Sequence, residues 1–232
     1  MLAARASLTG KYLKAGDVGV EVGAGSRPFP VPNGVQVIYG DVRDADSLST
    51  YFGGLPIVGD QLVIDAQTMD RFPPESLDFV LSGHVIEHLE NPIGAILNTA
   101  RVVKERGVMI VAVPEMTLTF DKNRPETSIK HLFEDLIVGG ESTRLQAFVE
   151  HLTYVHPLMT GEILSAERIA WEAPQSVLRY KEFDIHYHAW SRDSFRQMSD
   201  MAGELGGFYI EAERSVENEN IFVFRKGERS QL

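Results

Sequence analysis

The sequence contains no cysteine, which excludes disulfide bonds, thiolate metal sites and a cysteine nucleophile. A chain without cysteine fits a reducing compartment, and we expect a cytoplasmic protein. There is also no uninterrupted apolar run of about 18 residues, so we predict that no segment spans a membrane. Residues 1–17 lack the apolar centre of a signal peptide and have the pattern of a short amphipathic helix.

Positive charge is scarce as well. The chain has 22 Lys and Arg against 33 Asp and Glu, and its net charge is −11. This balance works against a polyanionic partner, so we predict no nucleic-acid substrate. At 232 residues, 44% of them hydrophobic, the chain has the size and apolar content of one α/β domain with room for an insertion.

Short β-type runs alternate with helical patterns along most of the chain. We predict strands over residues 18–22, 35–39, 61–64, 77–81 and 108–113, and a final antiparallel hairpin over 208–214 and 221–225. Helices are predicted from Asn91 to Gly107 and from Ser191 to about Leu205, each after a capping residue. This alternation predicts an α/β fold with a mostly parallel sheet.

The predicted elements suggest a single domain over residues 1–232. Its core would comprise residues 15–114 and 191–226. Residues 115–190 do not continue the alternation and are mainly helical in pattern, so we interpret them as an insertion that covers the substrate.

The stretch "GVEVGAGSRPFPVPNG", residues 19–34, begins like a dinucleotide-binding loop. A strand runs into Gly23-Ala24-Gly25, but Pro28 stands where the fingerprint has its third glycine, and two more prolines follow. Prolines at this spacing leave no regular helix whose N-terminus could bind a pyrophosphate. The two glycines still allow a ligand to approach the backbone closely. A ligand with an adenosine but no phosphate fits, and we predict S-adenosylmethionine.

Two carboxylates follow the next strands. "VIYGD" ends at Asp41, which is placed to accept hydrogen bonds from both ribose hydroxyls. "LVIDAQ" presents Asp65 and Ala66, a short acidic turn suited to an adenine amino group.

Together with "DFVLSGHVIEHLENP" and "RVVKERGVMIVAVP", these pieces resemble a class I S-adenosylmethionine-dependent methyltransferase, in order and spacing, over residues 17–114. The resemblance implies a Rossmann-like, seven-stranded, mostly parallel sheet whose last strand is antiparallel, with the cofactor at the carboxyl ends of the strands. It implies that Glu21 faces the methionine ammonium, directly or through water. The other implied cofactor contacts are Gly23, Ala24 and Gly25 beneath the cofactor, Asp41 at the ribose, Asp65 and Ala66 at the adenine, and Ser82, Gly83 and His84 on the methionine side.

The segment "HVIEH" also matches the zinc-binding pattern H-x-x-E-H. His84 and His88 are four residues apart and would share a helix face. The methyltransferase resemblance explains the same segment as the turn after the fourth strand, so we predict no bound metal. Small-RNA 2′-O-methyltransferases are similar here and hold a metal through E-x-x-E-H and a later histidine, with His84 replacing the first Glu in this chain. Metal-assisted RNA methylation is therefore an alternative, which the acidic composition disfavours.

A hydroxyl acceptor needs a general base, which is typically a histidine or a carboxylate. The predicted insertion supplies Asp121 in a loop beyond the fifth strand and His131 in a capped helix. It also supplies "DIHYHAW", whose alternation places His186 and His188 on one side, with Asp184 positioned to orient His186. We therefore predict His186, His131 and Asp121 as catalytic residues.

The sequence thus favours methyl transfer to a small-molecule acceptor, with the oxygen of a sugar or a similar metabolite as the preferred target. A non-catalytic module that keeps the cofactor fold for binding or scaffolding is the alternative from another functional class.

Overall fold

The computed structural model describes residues 1–182 and 184–228. Seven strands form one sheet in the order β3-β2-β1-β4-β5-β7-β6. Only β7 runs against its neighbours, so the sheet is otherwise parallel. The strands are β1 Val18–Val22, β2 Gln36–Asp41, β3 Gln61–Val63, β4 Leu77–Gly83, β5 Val103–Pro114, β6 Phe208–Val216 and β7 Glu219–Lys226. The predicted sheet and its terminal hairpin are confirmed.

Eight α-helices lie in the described residues. They are α1 Leu2–Tyr12, α2 Ala45–Tyr51, α3 Pro92–Val102, α4 Ile129–Val138, α5 Arg144–Glu150, α6 His156–Thr160, α7 Ala166–Leu178 and α8 Arg192–Gly206. A π-helical turn, His151–Val155, joins α5 to α6, and a 3₁₀ turn, Ile86–His88, follows β4. Two more 3₁₀ turns are Met116–Leu118 and Tyr180–Glu182.

Apolar side chains cover both faces of the sheet, as a parallel sheet requires. On one face, α3 and α8 contribute Ile93 and Phe195 to the larger core cluster. On the other face, α1 packs Leu8 beside Phe29, which comes from the proline-rich loop. The central strands are therefore shielded from water, and functional groups reach solvent mainly at the strand ends.

The proline-rich loop contains no helix, as predicted. Its Phe29 side chain is only 2% exposed, and the carbonyl of Pro30 accepts a hydrogen bond from the Thr9 hydroxyl at 2.5 Å. The loop thus packs under α1 as part of the core. Helix α2 follows β2 and was not predicted, although Asp44 caps it by accepting the backbone N–H of Ser47 at 2.8 Å.

Helix α3 begins as predicted, with Pro92 in its first turn and the Asn91 side chain accepting the Gly94 N–H at 2.8 Å. Its predicted end at Gly107 was wrong. The helix stops at Val102, because Val103 adopts an extended backbone and pairs with Leu77 of β4. Val102 and Val103 are adjacent β-branched residues, and such residues favour an extended backbone. Both side chains are completely buried in the folded protein.

The segment between β5 and α8 contains four helices and has a small core of its own. That core is formed by Ala147, Phe148, Leu152, Leu164, Ala173, Ile185 and Tyr187. The interpretation of residues 115–190 as a substrate-covering insertion stays a prediction. Within the part of the chain that the structure describes, no helix is long and apolar enough to cross a membrane.

Candidate functional site

The carboxyl ends of β1, β2 and β4 meet at one edge of the sheet, where the predicted cofactor residues gather. Gly23 and Gly25 follow β1 with φ values of 72° and 51°, a left-handed backbone that favours glycine. A Cβ on Gly23 would collide with Val85, and a Cβ on Gly25 would collide with the ring of Phe52. Val85 and Phe52 therefore fill the space where side chains at Gly23 and Gly25 would lie, and the sequence did not indicate either contact.

Glu21, in β1, is only 1% exposed. Its two carboxylate oxygens accept the backbone N–H of Phe29 at 3.0 and 3.2 Å, which fixes the proline-rich loop to the strand. Burial raises the pKa of Glu21 to about 7, although the Phe29 N–H and the charge of Arg5 both act to lower it. Glu21 is therefore a buried carboxyl group with no ion-pair partner in the described part of the chain. Its predicted contact with the methionine ammonium stays a prediction.

Asp41 ends β2 and is largely buried. It accepts the backbone N–H of Arg43 at 2.9 Å and lies 3.6 Å from the Arg43 guanidinium. Burial raises the pKa of Asp41, while Arg43 acts to lower it. Asp65 is exposed after β3 and closes its own turn by accepting the Gln67 N–H at 2.8 Å, with Ala66 half-buried beside it. Both carboxylates lie at or just after the strand ends, as the sequence predicted, and their ligand contacts stay predictions.

Ser82 and Gly83 end β4, and His84 follows the strand. Ser82 is 3% exposed, and its hydroxyl has no hydrogen-bond partner among the described residues. His84 has φ 56° and places Nε2 3.1 Å from Glu219 and Nδ1 3.5 Å from Glu87. Burial acts to lower the pKa of His84, but the neighbouring carboxylates of Glu219 and Glu87 outweigh it and raise the pKa to about 9. His84 is therefore held as a cation between two carboxylates.

Glu219 links this edge to the first helix. It accepts hydrogen bonds from Arg5 Nε at 3.2 Å and from Arg5 Nη2 at 2.6 Å, and both of these side chains are buried. The Arg5 guanidinium also lies 4.4 Å from the ring centroid of Phe29. No local pattern in the sequence indicates this Arg5–Glu219–His84 network, because its members are distant in the chain.

The predicted helix face shared by His84 and His88 was wrong. Only the 3₁₀ turn Ile86–His88 forms, and His84 precedes it with a left-handed backbone that no α-helix contains. The turn instead directs His88 towards the end of the predicted insertion. His88 Nδ1 lies 2.9 Å from Asp184 Oδ1 and 3.0 Å from the carbonyl oxygen of Ile185.

His186 pairs with Asp121, through Nδ1 and Oδ2 at 2.6 Å. Asp121 also binds Arg124 at 3.1 Å, and the same guanidinium donates to the carbonyl of His186 at 2.8 Å. Burial alone would raise the pKa of Asp121, but the hydrogen bond from His186 and the charges of His186 and Arg124 lower it overall. Two of the three predicted catalytic residues are thus in direct contact.

The predicted orientation of His186 by Asp184 was wrong. The "DIHYHAW" segment is not a strand, because the backbone N–H of Tyr187 donates to the carbonyl of Glu87 at 2.8 Å and that of His188 to the same oxygen at 3.3 Å. With the backbone held in this way, Asp184 contacts His88 and His186 contacts Asp121.

Glu87, His88 and His186 form what we call the first histidine cluster. The imidazole centroids of His88 and His186 are 4.7 Å apart at 85°. Glu87 is fully buried, and neither of its oxygens has a hydrogen-bond partner among the described residues. One potential ligand atom from each of the three residues lies within 4.8 Å of the others.

His131, Asp135 and His188 form the second histidine cluster. His131 lies in the capped first turn of α4, with Nε2 3.2 Å from Asp135 Oδ2, and His188 Nε2 is 3.6 Å from the same atom. His188 is 1% exposed and stacks on Trp190, and burial lowers its pKa to about 3. The placement of His186 and His188 on one side was therefore wrong. His131 is also separate from the Asp121–His186 pair.

A groove of about 380 Å³ runs between the π-helical turn and α7. It is lined by Phe148, His151, Leu152, His156, Trp171, Glu172, Gln175, Ser176, Arg179 and Ile185. Ile185 immediately precedes His186, so the groove adjoins the first histidine cluster. The glycine turn does not line the groove.

Comparisons with known proteins agree with this architecture. Residues 17–111 match the family model for the methyltransferase domain. A protein from Bacillus halodurans assigned as a methyltransferase superposes with a TM-score of 0.54 at 15% identity, over 98% of this chain and 99% of that one. A protein from Listeria monocytogenes assigned as S-adenosylmethionine-dependent gives 0.53 at 11% identity, over 98% and 100%.

A third similar structure is a protein from Haloferax volcanii assigned as a methyltransferase, in complex with the methyltransferase activator Trm112. It gives a TM-score of 0.52 at 15% identity, over 98% of this chain and 92% of that one. At these identities the structural likeness establishes the fold. No curated protein sequence matches the chain significantly.

Proposed function

Because this chain belongs to the class I S-adenosylmethionine-dependent methyltransferases, we propose that it methylates a hydroxyl oxygen of a small polar molecule such as a sugar. The observation that carries the choice of oxygen is the Asp121–His186 pair beside the groove. An acceptor hydroxyl has to lose a proton, and a carboxylate-oriented imidazole is the usual group for that task.

The residues at the strand ends fit the cofactor. The left-handed glycine turn allows close backbone approach, and residues 26–34 offer no helix N-terminus to a pyrophosphate. We propose that Asp41 accepts the ribose hydroxyls, and that the unpartnered hydroxyl of Ser82 receives a polar atom on the methionine side. Glu21 would face the ammonium, which would supply the cation that this buried carboxylate lacks. The bound cofactor supplies a methyl group already activated by the sulfonium charge.

The remaining proposed contacts complete the binding face. Gly23, Ala24 and Gly25 would lie beneath the cofactor, and Asp65 with Ala66 would contact the adenine at the end of β3. Gly83 and His84 would line the methionine side, with His84 fixed by Glu87 and Glu219.

The protein's part in the chemistry is alignment, exclusion of water and removal of one proton. Because Asp121 occupies His186 Nδ1, the proton-accepting nitrogen of His186 is Nε2. We favour His186 over His131 as the base, because Asp135 engages Nε2 of His131 away from the Asp121–His186 pair.

The groove favours a small polar acceptor. Its walls combine the apolar surfaces of Phe148 and Trp171 with hydrogen-bonding groups such as Gln175 and Ser176, a mixture suited to a ring carrying several hydroxyls. The net charge of −11 disfavours RNA, so the metal-assisted RNA methyltransferase is not our choice.

Two measurements test the proposal. Calorimetry should give binding of S-adenosylhomocysteine and no binding of NAD or ATP, and tighter binding of NAD would contradict the cofactor. Transfer from labelled S-adenosylmethionine to matched panels of sugars, amines and carboxylic acids should yield O-methyl ethers. Methylation of amines alone would contradict the choice of oxygen.

A further inference from the structure

His188, in the second histidine cluster, is a buried imidazole without a hydrogen-bond partner. It is 1% exposed, and neither ring nitrogen makes a hydrogen bond to any residue that the structure describes. Burial lowers the pKa of His188 to about 3, against the opposing effects of the Asp135 charge and the Glu90 carbonyl. The ring is therefore neutral, and one nitrogen carries a free lone pair. An unpaired polar group in the interior is costly and calls for a partner.

Asp135 places a second unpartnered atom beside this ring. Its side chain is fully buried, and Oδ1 accepts the Thr143 hydroxyl at 2.5 Å, whereas Oδ2 accepts no hydrogen bond from the described residues. His188 Nε2 lies 3.6 Å from Oδ2, which is too far for a hydrogen bond. A cation between the two atoms would satisfy both of them.

His131 brings a third atom to the same point. It precedes Asp135 by four residues in α4, so the two side chains lie on one face of the helix. Its Nε2 is 3.2 Å from Asp135 Oδ2. Ligand atoms about 2.0–2.1 Å from a tetrahedral metal ion lie about 3.3 Å from one another. The separations of 3.2 and 3.6 Å from Oδ2 therefore match a shared ion without rearrangement of the carboxylate.

A protonated His131 is the alternative partner for Asp135, because the neighbouring carboxylate raises the pKa of His131. That pair would neutralise the carboxylate, although the 3.2 Å contact lacks the alignment of a hydrogen bond. It would also leave both nitrogens of His188 without a partner. A metal ion serves all three side chains at once.

We propose that His131, Asp135 and His188 bind one zinc ion, at a site that shares no residue with the "HVIEH" segment or with the proposed cofactor contacts. Two imidazoles and one carboxylate are zinc ligands, whereas magnesium prefers oxygen alone. Thr143 orients the carboxylate through Oδ1, as outer hydrogen bonds do in metal sites. A zinc ion here replaces the sequence prediction that the chain holds no metal.

The zinc ion stabilises the fold. It joins α4 to His188, whose ring stacks on Trp190 of the larger core cluster. Of the three ligand side chains only that of His131 is appreciably exposed, at 13%, so a water molecule completes the coordination on that side. Binding needs neither the cofactor nor an acceptor, and it therefore does not depend on the proposed function.

The test uses the full chain, stripped with EDTA and titrated by calorimetry with Zn²⁺, with Mg²⁺ as the comparison ion. We expect one Zn²⁺ per chain, no Mg²⁺, and a higher Tm with zinc bound. His131→Gln and Asp135→Asn each remove a ligand and should weaken zinc binding about 100-fold or more. Thr143→Val changes only the outer contact and should weaken it about 10–100-fold. His186→Gln, a buried histidine of the first histidine cluster, is the control and should leave the zinc affinity unchanged.

Circular dichroism of every variant shows whether the fold is intact. The zinc site is overturned if Zn²⁺ does not bind in a one-to-one ratio, or if binding survives both His131→Gln and Asp135→Asn. It is equally overturned if His186→Gln abolishes binding and His131→Gln does not. An equal Tm for the stripped and the zinc-loaded chain would leave only the His131–Asp135 ion pair and would also overturn the site. Zinc binding by a chain that fails to bind S-adenosylhomocysteine would retain the site and contradict the cofactor instead.

Discussion

Two buried carboxylates, Glu21 and Asp121, show how differently the two sides of the site are built. Burial raises the pKa of Glu21 to about 7, because its direct partner is a backbone N–H and Arg5 is paired elsewhere. Burial acts on Asp121 too, but His186 and Arg124 outweigh it and lower its pKa. The glycine-turn side thus has a carboxylate to which a cationic ligand can be added. The histidine side has a carboxylate already neutralised by the protein, which positions an imidazole.

The largest effect is expected on the histidine side. His186→Ala removes the proposed base, and general-base help is worth about 10²–10⁴-fold. We therefore expect turnover to fall about 100-fold or more while the affinity for S-adenosylhomocysteine stays unchanged. Steady-state kinetics with an identified acceptor, and calorimetry in parallel, measure the two quantities.

His131→Ala is the matched comparison, because His131 pairs with Asp135 in the separate cluster. A smaller loss is expected for it. If both variants and the double variant turned over like the parent, neither histidine would help to deprotonate the acceptor. The acceptor would then be an amine or a carboxylate that needs no base.

The next effect concerns the stability contributed by Glu21. A carboxylate whose pKa is 4.5 in the unfolded chain and about 7 in the fold takes up a proton on folding. Its contribution is therefore fully present below pH 4.5 and is lost as the pH rises to 7. Between pH 5 and pH 8 this amounts to about 2.5 kcal/mol.

Glu21→Gln keeps an oxygen that accepts the Phe29 N–H, but its side chain cannot ionise. Between pH 5 and pH 8 the free energy of unfolding of the variant should therefore fall by about 2.5 kcal/mol less than that of the parent. Urea unfolding of parent and variant at both pH values measures the difference. The charged and titratable groups that interact with Glu21 are Arg5 and Tyr39, and neither is changed. Parallel pH curves would mean that Glu21 is ionised throughout.

A smaller effect is expected from Asp41. If it accepts two ribose hydroxyls as a charged group, those bonds contribute about 1.5–3 kcal/mol. Asp41→Ala should then weaken S-adenosylhomocysteine binding about tenfold or more. Asp60→Ala, which changes an exposed carboxylate just before β3, is the control and should leave binding unchanged. An unaltered affinity in Asp41→Ala would show that Asp41 serves only the Arg43 contact.

The sequence was informative where structure depends on near neighbours. The apolar runs predicted the strands, and Asn91 and Ser191 predicted where α3 and α8 begin. The end of α3 was misjudged because Val103 gains more by pairing with Leu77 than by extending the helix. The pairing partner lies in another strand, so the residues around Val103 in the sequence do not indicate it.

The same division holds in the site. Gly23, Gly25 and Asp41 lie at the strand ends where the sequence predicted them, because a glycine pair and an acid follow adjacent strands, and their ligand contacts stay predictions. The partner of His186 was misjudged because Asp121 lies 65 residues away, whereas Asp184 is two residues away and was chosen for proximity alone. Contacts between distant segments, such as His186 with Asp121, leave no periodic pattern in the sequence.

The bond between Arg5 and Glu219 has a consequence for the order in which the protein folds. It closes a loop of 214 residues, from the first helix to the last strand. During synthesis, His84 has no Glu219 to bind until nearly all of the described chain has left the ribosome. Contacts of such long range are formed slowly, so the partly made chain would hold an incomplete site for most of its synthesis.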